Sequence, residues 1–272
     1  MPSELPSPGS PQEETTLPGP GPSVPSPQGA PADSSAAPSP LQVIAMHGWC
    51  GEASHWEPWR QAFAGRGWSW QSGERGYGAA EPHQPRWQPR GLRVVIAHSM
   101  GPHLLPGEVL AEAEAVVLLA SFGRFVPPGP AGRRVLMALE AMAPPLSEVD
   151  SARTLLRTFL QEAAAPEPLE RLPSGPAEGP LGERQRTRLR QDLALLRGTG
   201  GLPESFPPAI PVLAVEAAED RIVAPEARQL LRKDLETQGN RTHWLTLEGA
   251  GHCLLAPGLV EEVMAWLAPL VA

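Results

Sequence analysis

Three residues of this chain, a serine, an aspartate and a histidine, each stand just past the carboxyl end of an apolar run and together could carry nucleophilic chemistry. Ser99 lies in Ala97-His98-Ser99-Met100-Gly101, directly after Leu92-Arg93-Val94-Val95-Ile96. Small residues two positions to either side let a strand turn sharply into a helix and push the hydroxyl into the open. A serine in a loop is by itself unspecific, because such residues commonly cap or turn the backbone. The order of its companions makes it informative. Asp220 follows Ile210-Pro211-Val212-Leu213-Ala214-Val215, and His252 follows Trp244-Leu245-Thr246-Leu247 and Gly249-Ala250-Gly251. A serine hydroxyl is too weak an acid to attack unaided, so a base must take its proton as the new bond forms. His252 is the candidate base, and Asp220 would hold its second ring nitrogen and stabilise the imidazolium. The chemistry implied is two-step acyl transfer to water.

A fourth segment supplies the electrostatics. Leu41-Gln42-Val43-Ile44-Ala45-Met46 ends in His47-Gly48-Trp49-Cys50-Gly51, a glycine-bearing loop able to turn a backbone N–H toward an oxyanion. The N–H groups of Trp49 and Met100 are the expected oxyanion donors. Glu216 and Glu219 compete with Asp220 for the acid role; Asp220 is preferred because Asp-Arg-Ile-Val-Ala-Pro leads straight into a helix and leaves the carboxylate on the loop crest. His98 is expected to pack away from the hydroxyl, and His47 to fix its loop by hydrogen bonding. The remaining histidines have no matching context. No His and Cys spacing suits zinc and no glycine loop suits phosphate, so no cofactor is required.

The elements that must position these residues alternate. Short runs at 41–46, 67–71, 92–97, 115–120, 210–215 and 243–247 read as core strands, and helices are expected near 54–64, 100–111, 225–237 and 257–269. The fold class is α/β, a mostly parallel sheet flanked by helices with an inserted helical lid. Residues 41–126 and 207–272 form the expected core. Residues 127–206 break the alternation: Ser147-Glu148-Val149-Asp150 resembles a capping box, Leu155, Leu156, Phe159 and Leu160 share one helical face, and Leu189, Leu193 and Leu196 share another. This stretch reads as a lid over the strand ends. The first 40 residues hold 12 of the 35 prolines and four acidic residues with no Lys or Arg, and they read as a disordered tail.

Of the formal net charge of −8, half lies in that tail, so the folded part is only mildly acidic and nucleic-acid binding is not expected. No apolar run approaches the roughly 18 residues of a membrane span. Cys50 and Cys253, the only cysteines, each adjoin a candidate site residue and read as small thiols lining a pocket; the pattern fits a reducing cytoplasm.

The order Ser99, Asp220, His252 and the segment His47-Gly48-Trp49-Cys50-Gly51 with Trp56 resemble the α/β-hydrolase superfamily over residues 41–272. Within it, His-Gly-Trp at 47–49, Ala120-Ser121-Phe122 and Arg153-Thr154-Leu155-Leu156-Arg157-Thr158-Phe159-Leu160 are most similar to the carboxylesterases of biotin synthesis that cleave pimeloyl-[acyl-carrier protein] methyl ester. That resemblance implies an α/β-hydrolase fold, methyl-ester hydrolysis by the triad, Trp49 and Phe159 along the acyl chain, and Arg153 and Arg157 gripping the carrier. Arg186 and Arg190 lie in the locally basic run 184–197 and extend the expected carrier contact. A general small-ester or thioester hydrolase and a non-catalytic interaction module are the alternatives. The chain departs from the family's pattern at Ala97, where a glycine is usual, at Pro82, Pro85 and Pro89, which leave little room for a helix, and at Pro106, which limits the helix after Ser99.

Overall fold

Strands that are apolar at nearly every position must be covered on both faces, and this dictates a parallel sheet sandwiched between helices. The structure, a computed structural model, describes residues 39–271; the disorder expected for residues 1–40 falls, apart from Ser39 and Pro40, outside the described residues. Six strands, β1 (Leu41–Met46), β2 (Ser69–Gly73), β3 (Leu92–His98), β4 (Ala115–Leu119), β5 (Pro211–Ala217) and β6 (Arg241–Leu247), pair in the order β2-β1-β3-β4-β5-β6. Every pairing is parallel. Side chains alternate between two cores. Ile44, Met46, Val95, Ala97, Val116 and Leu118 enter one, and Val43, Ala45, Val94, Ile96, Val117 and Leu119 the other.

The helices are α1 (Glu57–Ala64), α2 (Gly101–Leu104), α3 (Gly107–Ala111), α4 (Gly129–Met142), α5 (Val149–Ala164), α6 (Glu183–Gly198), α7 (Pro225–Thr237) and α8 (Leu259–Leu267). Phe63 of α1 and Val263 and Leu267 of α8 fill one core, while Leu231 of α7 and Leu156 and Leu189 of α5 and α6 fill the other. α4, α5 and α6 are inserted between β4 and β5.

Two local expectations, the helix over 100–111 and the capping box, need adjustment, while the lack of room for a helix before β3 is met. The helix expected over 100–111 is two short helices, because Leu105 is extended (ψ 148°) ahead of Pro106, as the residue before a proline must be. No helix forms between Gly73 and Leu92, where the three prolines remove donors; a lone antiparallel bridge joins Glu74 to His83. The capping box at 147–150 does not form. Glu148 is the N-cap residue of α5 without a side-chain cap, and the Ser147 hydroxyl instead closes the preceding turn by donating to the Pro144 carbonyl at 2.7 Å.

Strand order carries the functional consequence. From β1 the chain moves outward to β2, then returns to lay β3 on the other side of β1, so the crossover direction reverses between β1 and β3. At such a switch the loops beyond the carboxyl ends diverge and leave a crevice. Met46 pairs with Ala97 at those ends, which brings the loop at 47–51 beside the turn at 98–101.

Candidate active site

Ser99 has φ 55°, a left-handed conformation that L residues with a Cβ adopt only under constraint, at a cost of about 1–3 kcal/mol. The constraint is visible on both sides. The Ser99 N–H donates to the Leu119 carbonyl at 2.8 Å, and the Ser121 hydroxyl donates to the Ala97 carbonyl at 3.1 Å, so β4 holds the turn from behind. Two glycines make the approach feasible. A Cβ on Gly101 would stand 2.5 Å from the Met46 carbonyl oxygen, and one on Gly48 would stand 2.8 Å from the Ser99 Cβ and 3.2 Å from its Oγ. Ala97, by contrast, sits within β3 and tolerates its methyl in the core.

His252 Nε2 lies 2.9 Å from Ser99 Oγ, and His252 Nδ1 lies 2.9 Å from Asp220 Oδ2. With the hydroxyl donating to Nε2, Nδ1 carries the ring proton and donates to the carboxylate, an assignment made from partners. Ser99 is 7% and His252 2% exposed. The other Asp220 oxygen accepts the Ile222 and Val223 N–H groups at 2.8 and 2.9 Å. Burial pushes the Asp220 carboxyl up, but His252 and these two amides outweigh it and hold it below its usual range. Glu216 is turned away to Arg232, and Glu219 meets the Ala250 carbonyl only through its backbone N–H at 2.9 Å.

His252 is held by two groups whose part sequence reasoning missed. His98, expected only to pack, donates from Nε2 to the His252 carbonyl at 2.9 Å. Burial, then repulsion from His252, lowers the His98 pKa to about 3, so the ring is a neutral strut. From the inserted helices, the Ala163 carbonyl of α5 accepts the Cys253 N–H at 3.0 Å. No sequence signal marks a carbonyl contact of this kind.

Beside the triad lies a cleft of about 560 Å³ whose walls include His252, Gly48, Trp49, Trp56, Phe159 and Leu254. Ser99 stands one contact behind that wall, against Gly48 and His252. Trp49 and Phe159 meet edge to face at 4.8 Å, and the Trp49 indole N–H donates to the Leu189 carbonyl at 3.0 Å. Cys50 and Cys253 both line the cleft. Burial raises both thiols, Cys253 to about 12, and Cys50 is raised further by Cys253, so both are protonated at neutral pH and neither is an activated nucleophile. Met100 is fully buried at the start of α2, and its N–H follows the serine directly.

The arginines expected at a carrier surface divide. Arg186 is 8% exposed, donates to the Leu181 carbonyl and pairs with Glu183. Arg153 bonds the Ala177 and Gly179 carbonyls. Both turn guanidinium donors inward to groups of the inserted segment, while the Arg186 Nε is buried without a partner and Arg153 stays half-buried. Arg190 is divided among the Leu146 carbonyl, Glu183 and Thr187. Arg157 is exposed, 3.8 Å from Glu178. A buried network that sequence reasoning also missed anchors α6: Asp192, 2% exposed, accepts two bonds from Arg75 at 3.0 and 2.6 Å and one from the Tyr77 hydroxyl at 2.6 Å. Tyr77, the only tyrosine, was the available hint.

Among the described residues no helix is long and apolar enough to cross a membrane. No protein-family model and no curated protein sequence matches the chain. Solved structures do. An esterase from Exiguobacterium antarcticum is 16% identical with a TM-score of 0.60, the match covering 86% of this chain and 91% of that one. A hydrolase from Oleispira antarctica is 12% identical with a TM-score of 0.55 over 84% and 91%. A bromoperoxidase from Bacillus anthracis is 15% identical with a TM-score of 0.53 over 85% and 91%. With its parallel six-stranded sheet, flanking helices and these neighbours, the chain has the α/β-hydrolase fold.

Proposed function

We propose that the protein hydrolyses carboxylic esters through Ser99, His252 and Asp220. Fold alone leaves the chemistry open, since neighbours with this architecture are described as catalysts of different reactions. The observation that carries the reading is the unbroken chain from Ser99 Oγ through both nitrogens of His252 to Asp220, each link 2.9 Å. In this reading Ser99 Oγ attacks the ester carbonyl carbon while His252 Nε2 takes its proton. The carbonyl oxygen becomes an oxyanion received by the N–H groups of Met100 and Trp49, each worth about 2.7–4 kcal/mol by analogy with measured cases. Collapse expels the alcohol, protonated by His252, and leaves an acyl-serine. Water, deprotonated by His252, then releases the acid and restores the hydroxyl. Asp220 stays ionised throughout and stabilises the imidazolium.

Within this class the resemblance of the Trp49 and Phe159 segments favours an acyl methyl ester, with pimeloyl-[acyl-carrier protein] methyl ester of biotin synthesis as the substrate. The cleft walls formed by Trp49, Phe159 and Leu254 suit an alkyl chain. The inserted helices serve as its lid, and carrier contact falls chiefly to the exposed Arg157. The inward turn of Arg153 and Arg186 favours a second reading, an ester free of any carrier. The test compares wild type and Ser99→Ala in a strain lacking its biotin-pathway esterase, alongside hydrolysis of methyl esters of free dicarboxylic acids. Rescue by wild type alone supports the carrier-bound substrate. Hydrolysis without rescue supports the carrier-free ester, and neither rescue nor hydrolysis rejects ester chemistry.

A further inference from the structure

The loop proposed to receive the oxyanion is held by a carboxylate outside the triad. Glu74 follows the end of β2 and is 5% exposed. One of its oxygens, Oε2, accepts the Ala53 N–H at 2.8 Å, and the other, Oε1, accepts the Gly76 N–H at 2.6 Å. The same Oε1 stands 3.5 Å from His47 Nε2, too far for a hydrogen bond, and that nitrogen instead accepts the N–H of Arg75, the residue after Glu74, at 3.3 Å, so Nδ1 carries the ring proton. His47 in turn bonds through Nδ1 to the Gly48 carbonyl at 2.9 Å, and Gly48 is the residue pressed against Ser99. Glu74 thus reaches the loop directly at Ala53, where it enters the turn before α1, and at His47, where it leaves β1, through the neighbouring Arg75 N–H.

Resting on the ester-hydrolase reading, we propose that Glu74 is a positioning residue which, through Ala53 and His47, fixes the loop at 47–53 so that the Trp49 N–H is aimed at the transition-state oxyanion. A carboxylate suits this task because both oxygens accept. An amide in its place turns an NH₂ toward one of the two backbone donors, leaving a buried N–H unpaired and one end of the clamp open. The burial that raises a carboxyl is outweighed here by His47 and the two amides, so Glu74 stays ionised at neutral pH. Because the oxyanion exists only in the transition state and tetrahedral intermediates, loosening its donor lowers kcat while leaving ground-state binding nearly untouched.

Two variants test this. Glu74→Gln removes one acceptor. Ala53→Pro removes one donor at the first residue of its turn, where Glu52 is already extended (φ −138°, ψ 152°) and proline is accommodated. For each, kcat and KM on a short-chain ester and the Ki of an alkylboronic acid, whose tetrahedral serine adduct places a B–OH where the oxyanion would lie, are measured on protein shown to be folded by circular dichroism. The expected result is a kcat about tenfold lower and a Ki about tenfold higher, with KM within about twofold. Wild-type kcat and Ki in either folded variant overturn the proposal, as does a rise in KM alone; should Glu74→Gln not fold, Ala53→Pro decides. Absence of activity and of boronate inhibition in wild type would instead reject the ester-hydrolase reading itself.

Discussion

At the residue scale the site is built from strained and buried groups whose cost is met by neighbours. Ser99 keeps a left-handed backbone because β4 and Ser121 hold it there. His98 is half-buried and held neutral, with its pKa lowered to about 3. In the unfolded chain the same ring takes a proton near its ordinary value of 6.5, so below that pH the unfolded state binds more protons than the native one. Stability from this group is therefore fully present above about pH 6.5 and drains away as pH falls toward 3. His98→Gln is expected to flatten the fall of Tm with pH over this window, though not to abolish it, because burial lowers His55 and His103 in the same direction. An unchanged slope in the variant would contradict the neutral-strut role. Sequence pattern found Ser99, Asp220 and His252 because each ends a strand, whereas the carbonyl contact of His98 depends on a register 154 residues away and leaves no local trace.

At the element scale the inserted segment does more than line the cleft. α5 lends the Ala163 carbonyl to the loop that carries His252, and α6 is fastened to the segment after β2 by Asp192, Arg75 and Tyr77. Arg188 reinforces that seam by donating to the Arg75 carbonyl at 2.6 Å. Removing one partner of a buried ion pair costs more than the pair contributes, because the other charge is left without its counterion. Asp192→Ala is expected to cost about 3 kcal/mol, the low end of the range because Arg75 keeps 25% of its side chain in water. At about 2–4 °C per kcal/mol for a chain of this size, Tm falls by roughly 6–12 °C, and Tyr77→Phe falls by less. A Tm within about 1 °C of wild type for Asp192→Ala would show that the seam carries no stability. Helical periodicity made α5 and α6 legible, with Leu156 and Leu189 buried as their spacing requires. The inward contacts of the arginines on the same helices were not legible. Charge counting cannot tell a guanidinium facing solvent from one capping carbonyls, and Arg153 and Arg186 are of the second kind.

At the scale of the whole molecule, strand order is what makes chemistry possible from residues as far apart as 47 and 252. All six strands were legible to within about two residues; the four inner ones show as nearly continuous apolar runs, the strongest signal a buried parallel sheet leaves, and the edge strands β2 and β6 as shorter, mixed runs. Their spatial order is not written in any one strand. The reversal between β1 and β3 sets Gly48 against Ser99, and the parallel pairing of β5 with β6 brings the Asp220 loop beside the His252 loop. The central claim is that this convergence makes the Ser99 hydroxyl a nucleophile. Its most direct measurement is the rate of phosphonylation by an alkyl fluorophosphonate at neutral pH, followed by intact mass and located by peptide mapping, for wild type, Ser99→Ala and His252→Ala. The account predicts a single adduct on Ser99 in wild type, none in Ser99→Ala, and labelling at least about a thousandfold slower in His252→Ala. An unlabelled wild type, or an adduct that persists at another residue when Ser99 is replaced, would contradict it.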